Sequence, residues 1–342
     1  MRALVLDAFG AMSVHEVNRP TPGVGQVLVK VAVTGICGSD IHGFAGTNRR
    51  RWPGQIMGHE SSGFIAALGP GTDDEEMEVG DPVTFNPVVV PADLIELFAG
   101  REQHASEKLV IGVNPEWPAA FADYVVVPAR NVVRLRHGVP IENGALAEPL
   151  AVALHAVARA GVRPADNVLV IGGGPIGQSI VVALRMRGVA AVAATEIAPA
   201  RRDLLARLGA AVIGSAGPPL AEAVRDHFGS GADVTIDAVG VTSTIADGLE
   251  ATRLGGTLCL VGMGSPEIAL DAYRVSTDER TIVGSFTYSA DEFREAVRLL
   301  GQSPVDLATL ISRVVEVEDA PAAFIELAAQ NSVAGKVLVR FS

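Results

Sequence analysis

Three side chains in the first sixty residues could hold one metal ion: Cys37, His59 and Glu60. A thiolate, an imidazole and a carboxylate suit a borderline-soft cation such as Zn²⁺. Three protein ligands leave a fourth position open, which marks a catalytic rather than a structural site. Glycines stand near Cys37 (Gly35, Gly38) and just before His59 (Gly58). They permit tight turns and close backbone approach, so the three side chains can point into one space.

A second stretch has the chemistry of a phosphate cradle. The apolar run Val168-Leu169-Val170-Ile171 leads into Gly172-Gly173-Gly174-Pro175-Ile176-Gly177, and a helical run follows. In that context Gly172 makes the turn, Gly174 lets a pyrophosphate approach the backbone, and Gly177 packs helix on strand. Pro175 and Ile176 open the helix, whose N-terminus would receive the diphosphate. Nineteen residues after Gly177, at the end of the next apolar run, stands Glu196. A carboxylate there accepts the ribose hydroxyls of NAD and repels a 2′-phosphate. Arg201 and Arg202 lie close by; they could blunt that preference, and Arg201 also fits stacking against adenine.

These groups must be positioned by two kinds of scaffold. Residues 1–36, Ser62–Leu68 and Pro82–Phe85 are short apolar runs cut by Pro and Gly, which is strand and turn chemistry. Leu94–Phe98 could open a short helix, and Gly100–Pro118 has no steady period and reads as an irregular lobe. From Glu148 the grammar changes to strand-like apolar runs alternating with helical ones, which implies a parallel sheet covered on both faces. After about residue 284 the β-rich style returns, with one helix at Asp291–Leu300 and a closing strand Lys336–Phe341. The fold class is α/β, with the parallel domain (148–284) inserted between two pieces of a first domain (1–147 and 285–342).

At 342 residues the chain is long enough for two such domains. Its net charge of −12 argues against a nucleic-acid partner. The one basic cluster is Arg49-Arg50-Arg51, read as a solvated loop with receipt of a substrate carboxylate or phosphate as the alternative, and Asp73–Glu76 is read as a solvated acidic loop. Two cysteines, Cys37 and Cys259, cannot make a disulfide framework, so a reducing, cytoplasmic setting is expected. No secretory signal and no membrane-spanning apolar run is apparent.

The pattern Cys37-Gly-Ser-Asp-x-His42, followed by Gly58-His59-Glu60-x-x-Gly63, resembles the zinc-dependent medium-chain alcohol dehydrogenases. Within them it is most similar to the sorbitol/polyol and threonine dehydrogenase branch. Val79-Gly80-Asp81, Ala122-Asp123-Tyr124-Val125, Ala147-Glu148-Pro149-Leu150, the glycine fingerprint and Gly335-Lys336-Val337 extend the likeness over almost the whole chain.

The resemblance implies a β-rich GroES-like catalytic domain, a Rossmann doubly wound sheet, and a homodimer or homotetramer. It implies Cys37 and His59 as zinc ligands, Glu60 as a ligand or a residue just behind one, and Glu148 as a second glutamate that approaches the ion directly or through its water. Asp40 would fix the His59 tautomer, unless it is only a turn cap. Ser39 and His42 would pass the alcohol proton outward, and Val261 and Ser285 would contact the nicotinamide end. The implied activity is reversible, NAD-linked oxidation of a secondary alcohol (polyol, sugar or hydroxy acid) to the ketone. The rivals are a zinc-free quinone or enone reductase and a non-catalytic dinucleotide-binding protein.

Two departures stand out. Residues 86–120 hold no cysteine, so the family's four-cysteine structural zinc cannot form. Polyol dehydrogenases tend to carry Arg-Tyr where this chain has Thr287-Tyr288. Phe44, Trp52 and Phe121 are candidates for a substrate-pocket wall, with core packing as the alternative.

Overall fold

A computed structural model describes residues 1–47, 50–72, 77–214, 217–329 and 333–341. Arg49 and the acidic run Asp73–Glu76 lie outside the described residues. The chain forms two compact units: Met1–Glu148, Tyr288–Gln302 and Ile311–Ser342 in one, Pro149–Thr287 and Ser303–Leu310 in the other. The segment 303–310 therefore leaves the C-terminal piece to which the sequence assigned it. It ends in a short 3₁₀ turn, Leu307–Leu310, whose terminal leucines are buried.

The first unit is built on a seven-stranded sheet. Its order is Ile311–Glu316, Lys336–Arg340, Gln26–Gly35, Glu60–Leu68, Pro82–Phe85 and Val132–Arg134, with Tyr124–Pro128 also pairing Gln26–Gly35. The register decides which strand ends meet. Gly35 lies opposite Glu60 on one neighbour and opposite Leu338 on the other. One corner of the sheet thus gathers the last residues of the central strand and the first residues of its two antiparallel neighbours. The core beneath holds Leu4, Leu6, Val29, Met57, Phe85, Phe121 and Phe324. Phe44 and Phe121 pack on Phe324, at ring centroid separations of 5.7 and 5.5 Å, while Trp52 is half exposed. Phe44 and Phe121 are therefore core residues.

The cysteine-free lobe has more order than its sequence signals. The expected helix at Leu94–Phe98 is only a 3₁₀ turn, Ala92–Leu94, followed by further turns. Val88–Val89 pairs with Leu109–Val110. Side-chain amides close the backbone: Asn131 Nδ2 donates to the carbonyls of Asn86 and Val88, both at 2.8 Å, and Gln55 Nε2 donates to that of Val113 at 3.0 Å. Buried Val88, Val89, Val90, Ala105 and Ile111 supply the apolar filling. Glu102 of this lobe accepts the amide of Ala290 at 3.0 Å.

The second unit carries a six-stranded, all-parallel sheet. Its strands in space are Ala211–Val212, Val192–Thr195, Val168–Ile171, Ala232–Asp237, Thr252–Leu260 and Thr281–Gly284. Counted along the chain, that order is 3-2-1-4-5-6, the doubly wound arrangement that binds dinucleotides where the strand order reverses. Val168–Ile171 is buried along its whole length, which explains its unbroken apolar sequence. Beyond the helix Ala290–Leu300, the C-terminal region holds a second helix, Ala320–Ala329, that its sequence style did not announce. No described helix is long and apolar enough to cross a membrane.

Candidate active site

The corner of the first sheet gathers three of the four proposed metal ligands, Cys37, His59 and Glu60; Glu148, on the helix Ala147–Arg159, is not in that close group. Two residues past the end of Gln26–Gly35, Cys37 caps the short helix Gly38–Phe44. His59 and Glu60 begin the neighbouring strand. The preceding residue, Gly58, has φ +99°, and a Cβ there would stand 2.8 Å from the Phe121 backbone nitrogen. Only glycine meets both demands, and the turn it makes delivers His59 inward. One donor atom from each of Cys37, His59 and Glu60 lies within 4.8 Å of the others.

Asp40 serves two functions at once. Its Oδ2 accepts the Cys37 amide at 3.2 Å, as a turn cap would. Its Oδ1 stands 3.5 Å from His59 Nδ1, which leaves the other ring nitrogen, Nε2, for a metal. Behind it lies Arg51, only 1% exposed, whose Nη2 donates to Asp40 Oδ1 at 3.3 Å. Arg51 is thus a buried counter-ion, and the solvated-loop reading fails for it. The reason is local: Gly43 leaves room for the arginine stem, since a Cβ there would come within 2.3 Å of Arg51 Cγ.

Glu60 and Glu148 are held differently. Lys336 Nζ lies 2.6 Å from Glu60 Oε2 and 2.7 Å from Oε1, with both side chains buried. Glu148, half-buried near the start of the helix Ala147–Arg159, accepts the Tyr288 hydroxyl at 3.0 Å. Ser39 is half-buried in the first turn of Gly38–Phe44. His42, three residues on and exposed, has Nδ1 3.3 Å from Thr47 Oγ1.

The electrostatics of this cluster fit a divalent cation. Cys37, Asp40, Glu60 and Glu148 carry four negative charges when ionised, whereas Arg51 and Lys336 carry two positive ones. The two missing charges equal those of Zn²⁺. Protons supply them when only the protein's own groups are counted. Burial disfavours a charge on His59, but Asp40, Cys37 and Glu148 outweigh it and push the imidazole up to about 10. Burial, reinforced by Glu60, pushes Glu148 up to about 7 against the pull of His59, Tyr288 and Lys336. The donor set and its charge therefore fit zinc.

In the second unit, Val168–Ile171 turns at Gly172 (φ +96°) into the helix Pro175–Met186, capped by Gly174. A Cβ on Gly177 would stand 1.8 Å from the Gly172 carbonyl oxygen, so strand and helix touch there only because it is glycine. A Cβ on Gly174 would meet nothing within 4 Å, which leaves space at the helix start beside Pro175 and Ile176. Glu196 follows Val192–Thr195. Its Oε2 accepts the Gly173 amide at 2.7 Å, and its Oε1 those of Ile197 and Ala198 at 2.7 and 2.8 Å. Arg201 Nη1 stands 4.0 Å from that carboxylate. Val261 and Ser285 follow the fifth and sixth strands in chain order. Their amides donate to Asp237 and Leu260, and the Ser285 hydroxyl is buried without a hydrogen-bond partner.

The sequence reading missed Arg51, Lys336 and Tyr288 as members of the metal cluster. Lys336 had a signal, because a lysine opening an apolar closing strand is out of place unless paired. A surface hollow of about 350 Å³ beside Val89, Pro91, Trp117 and Arg130 includes no residue of the cluster.

Comparison with known proteins agrees with this architecture. Residues 23–137 match the alcohol dehydrogenase GroES-like domain, and residues 175–302 match the zinc-binding dehydrogenase family. The chain is 32% identical over 344 residues to D-xylulose reductase A of Aspergillus niger, covering 95% of this chain and 94% of that one. Galactitol-1-phosphate dehydrogenase from Escherichia coli superposes with a TM-score of 0.89 at 29% identity over 100% of both chains. An alcohol dehydrogenase of E. coli CFT073, solved with NADH, gives 0.89 at 27% identity, covering 100% of this chain and 99% of that one.

Proposed function

The chain belongs to the zinc-dependent medium-chain alcohol dehydrogenase family, and from that premise we propose that it reversibly oxidises a secondary hydroxyl of a small polyol to the ketone, using NAD and a single Zn²⁺. The observation that carries the metal assignment is the charge count of the buried cluster, short of neutrality by the two charges of one divalent ion. When bound, zinc supplies Lewis acidity to the substrate oxygen and the dinucleotide supplies the hydride acceptor.

The protein's own residues do the rest. Cys37, His59 and Glu60 would hold the ion, and Glu148, oriented by Tyr288, would reach it directly or through water. Asp40 orients the His59 ring. Ser39 would take the alcohol proton and His42, three residues on along the same helix, would pass it to solvent.

The choice of NAD over NADP rests on Glu196. Three backbone amides fix this carboxylate beside the glycine turn, where it would meet the ribose hydroxyls and repel a 2′-phosphate. The absence of cysteine from residues 86–120 supports a single zinc. Two relatives are named for a ketopentose reductase and a galactitol-phosphate dehydrogenase, which favours polyols over simple alcohols. A homodimer or homotetramer belongs to the same proposal and is measurable by light scattering.

The test is a panel of polyols, sugar alcohols and hydroxy acids with NAD⁺ and NADP⁺, before and after exhaustive chelation. Polyol turnover that is lost with the metal and regained with zinc is the expected result, with kcat/KM favouring NAD. Turnover that survives chelation refutes the zinc assignment, and equal use of NADP refutes the role of Glu196.

A further inference from the structure

Glu60 is claimed by two cations. It belongs to the cluster whose donor atoms lie within 4.8 Å of one another, so a metal held there would draw on its carboxylate. Yet both of its oxygens already lie within 2.7 Å of Lys336 Nζ. The pair is 276 residues apart in the chain and essentially shut off from water, at 3% and 0% side-chain exposure. Sheet register brings them together. Glu60 faces Gly35 across one strand pair, and Lys336 opens the strand on Gly35's other side. Gly35 presents only hydrogen, so the two side chains meet over it: a Cβ there would come within 2.4 Å of Glu60 Oε2 and 3.4 Å of Lys336 Cδ. Both oxygens are engaged by the ammonium, Oε1 as a hydrogen-bond acceptor at 2.7 Å and Oε2 as its ion-pair partner at 2.6 Å, so a metal would have to share the carboxylate with Lys336.

We infer that Lys336 is a positioning residue that holds Glu60 in place for the metal and, by sharing its charge, limits how tightly Glu60 can bind the ion. A buried carboxylate stripped of its partner is strongly unfavourable, so without Lys336 the metal becomes the remaining buried countercharge for Glu60. Metal and lysine are therefore coupled negatively: each weakens the other's hold on the same group. The result is a site with enough protein ligand to retain its ion and enough residual positive charge to act on a substrate oxygen. This inference rests on the zinc reading above.

The experiment measures zinc affinity by competition with a chromophoric chelator, together with thermal midpoints of the metal-free and zinc-loaded forms. The proteins are the wild type, K336R, K336M, E60Q and K336M/E60Q. From the negative coupling, K336M is expected to bind zinc about tenfold more tightly. Its metal-free form should melt lower than the wild type's, and zinc should raise its midpoint by more. K336R, which keeps the charge, should stay within about threefold of wild type, and in the E60Q background the K336M change should shrink to less than about threefold. Unchanged or weaker zinc binding by folded K336M overturns the inference. Equal midpoint losses with and without zinc do so too, because they signify packing alone. An undiminished effect in E60Q means that Lys336 acts as a distant charge and not through Glu60. A wild-type protein that takes up no zinc overturns the metal reading itself, and this inference with it.

Discussion

Replacing Gly35 by alanine tests how the corner of the first sheet is assembled. The backbone there is ordinary strand with no left-handed φ, so alanine itself is acceptable and by intrinsic preference would gain about 0.5–1 kcal/mol over glycine. Space is what fails. The new methyl would stand 2.4 Å from Glu60 Oε2 and 3.3 Å from Glu60 Cβ. Glu60 cannot simply swing aside, because it is fully buried and paired to Lys336. Separating that pair leaves an uncompensated buried charge, at about 3–5 kcal/mol. After the intrinsic gain, the net loss is about 2–4 kcal/mol, or about 5–15 °C in the midpoint of a unit of this size. Zinc affinity should fall at least about tenfold, because the displaced carboxylate leaves the cluster. Differential scanning calorimetry and chelator competition measure the two quantities. Gly38→Ala is the internal control, since its Cβ would meet nothing within 4 Å. A Gly35→Ala protein that melts with the wild type and keeps its zinc affinity would show that the steric account of this corner is wrong.

Two more outcomes rest on the same geometry. Zinc affinity should rise with pH. The His59 proton, held with a pKa of about 10, must leave before the ring can ligate, which at pH 7 costs about 4 kcal/mol of apparent binding energy. The sign is fixed by the raised value: between pH 6 and 9 the protonated form dominates, and each unit of pH should tighten binding about tenfold, with Glu148 adding to the slope below about 7. Calorimetric titration in buffers of different ionisation enthalpy counts the released protons, and a count near zero contradicts the charge balance. In the second unit, Gly174→Ala should leave the melting temperature within about 1 °C while weakening NADH at least about tenfold, since its methyl would fill only the open space at the helix start. Fluorescence titration decides it, and unaltered NADH affinity would place the pyrophosphate elsewhere.

What the sequence disclosed was whatever physics writes locally. The glycine fingerprint is legible because turn, approach and packing each need glycine within six consecutive residues. The parallel sheet is legible because strands buried on both faces must be apolar throughout, as Val168–Ile171 is. Cys37 and His59 stand out through neighbouring glycines. Tyr288 did not, because its partner lies 140 residues away, and Lys336, at the head of an apolar strand, signals that it is paired but not with which residue, 276 positions off. Arg51 misled in the opposite sense: it sits in a basic run that looks solvated, while Asp40 and the gap at Gly43 draw it inside. The lobe at 87–118 was opaque because an asparagine that closes backbone carbonyls, as Asn131 does, leaves no periodicity to read.

That same lobe gives the chain an unusual sulfur chemistry. With no cysteines there, the whole protein carries two thiols. Cys259 is fully buried and pushed up to about 12 by that burial, so it is a poor nucleophile. Cys37, half-buried at the metal cluster, is left as the one addressable sulfur. A thiol-directed alkylating reagent would therefore strike the site and little else, and a bound ion would shield it. Thiol titration becomes a stoichiometric gauge of metal occupancy.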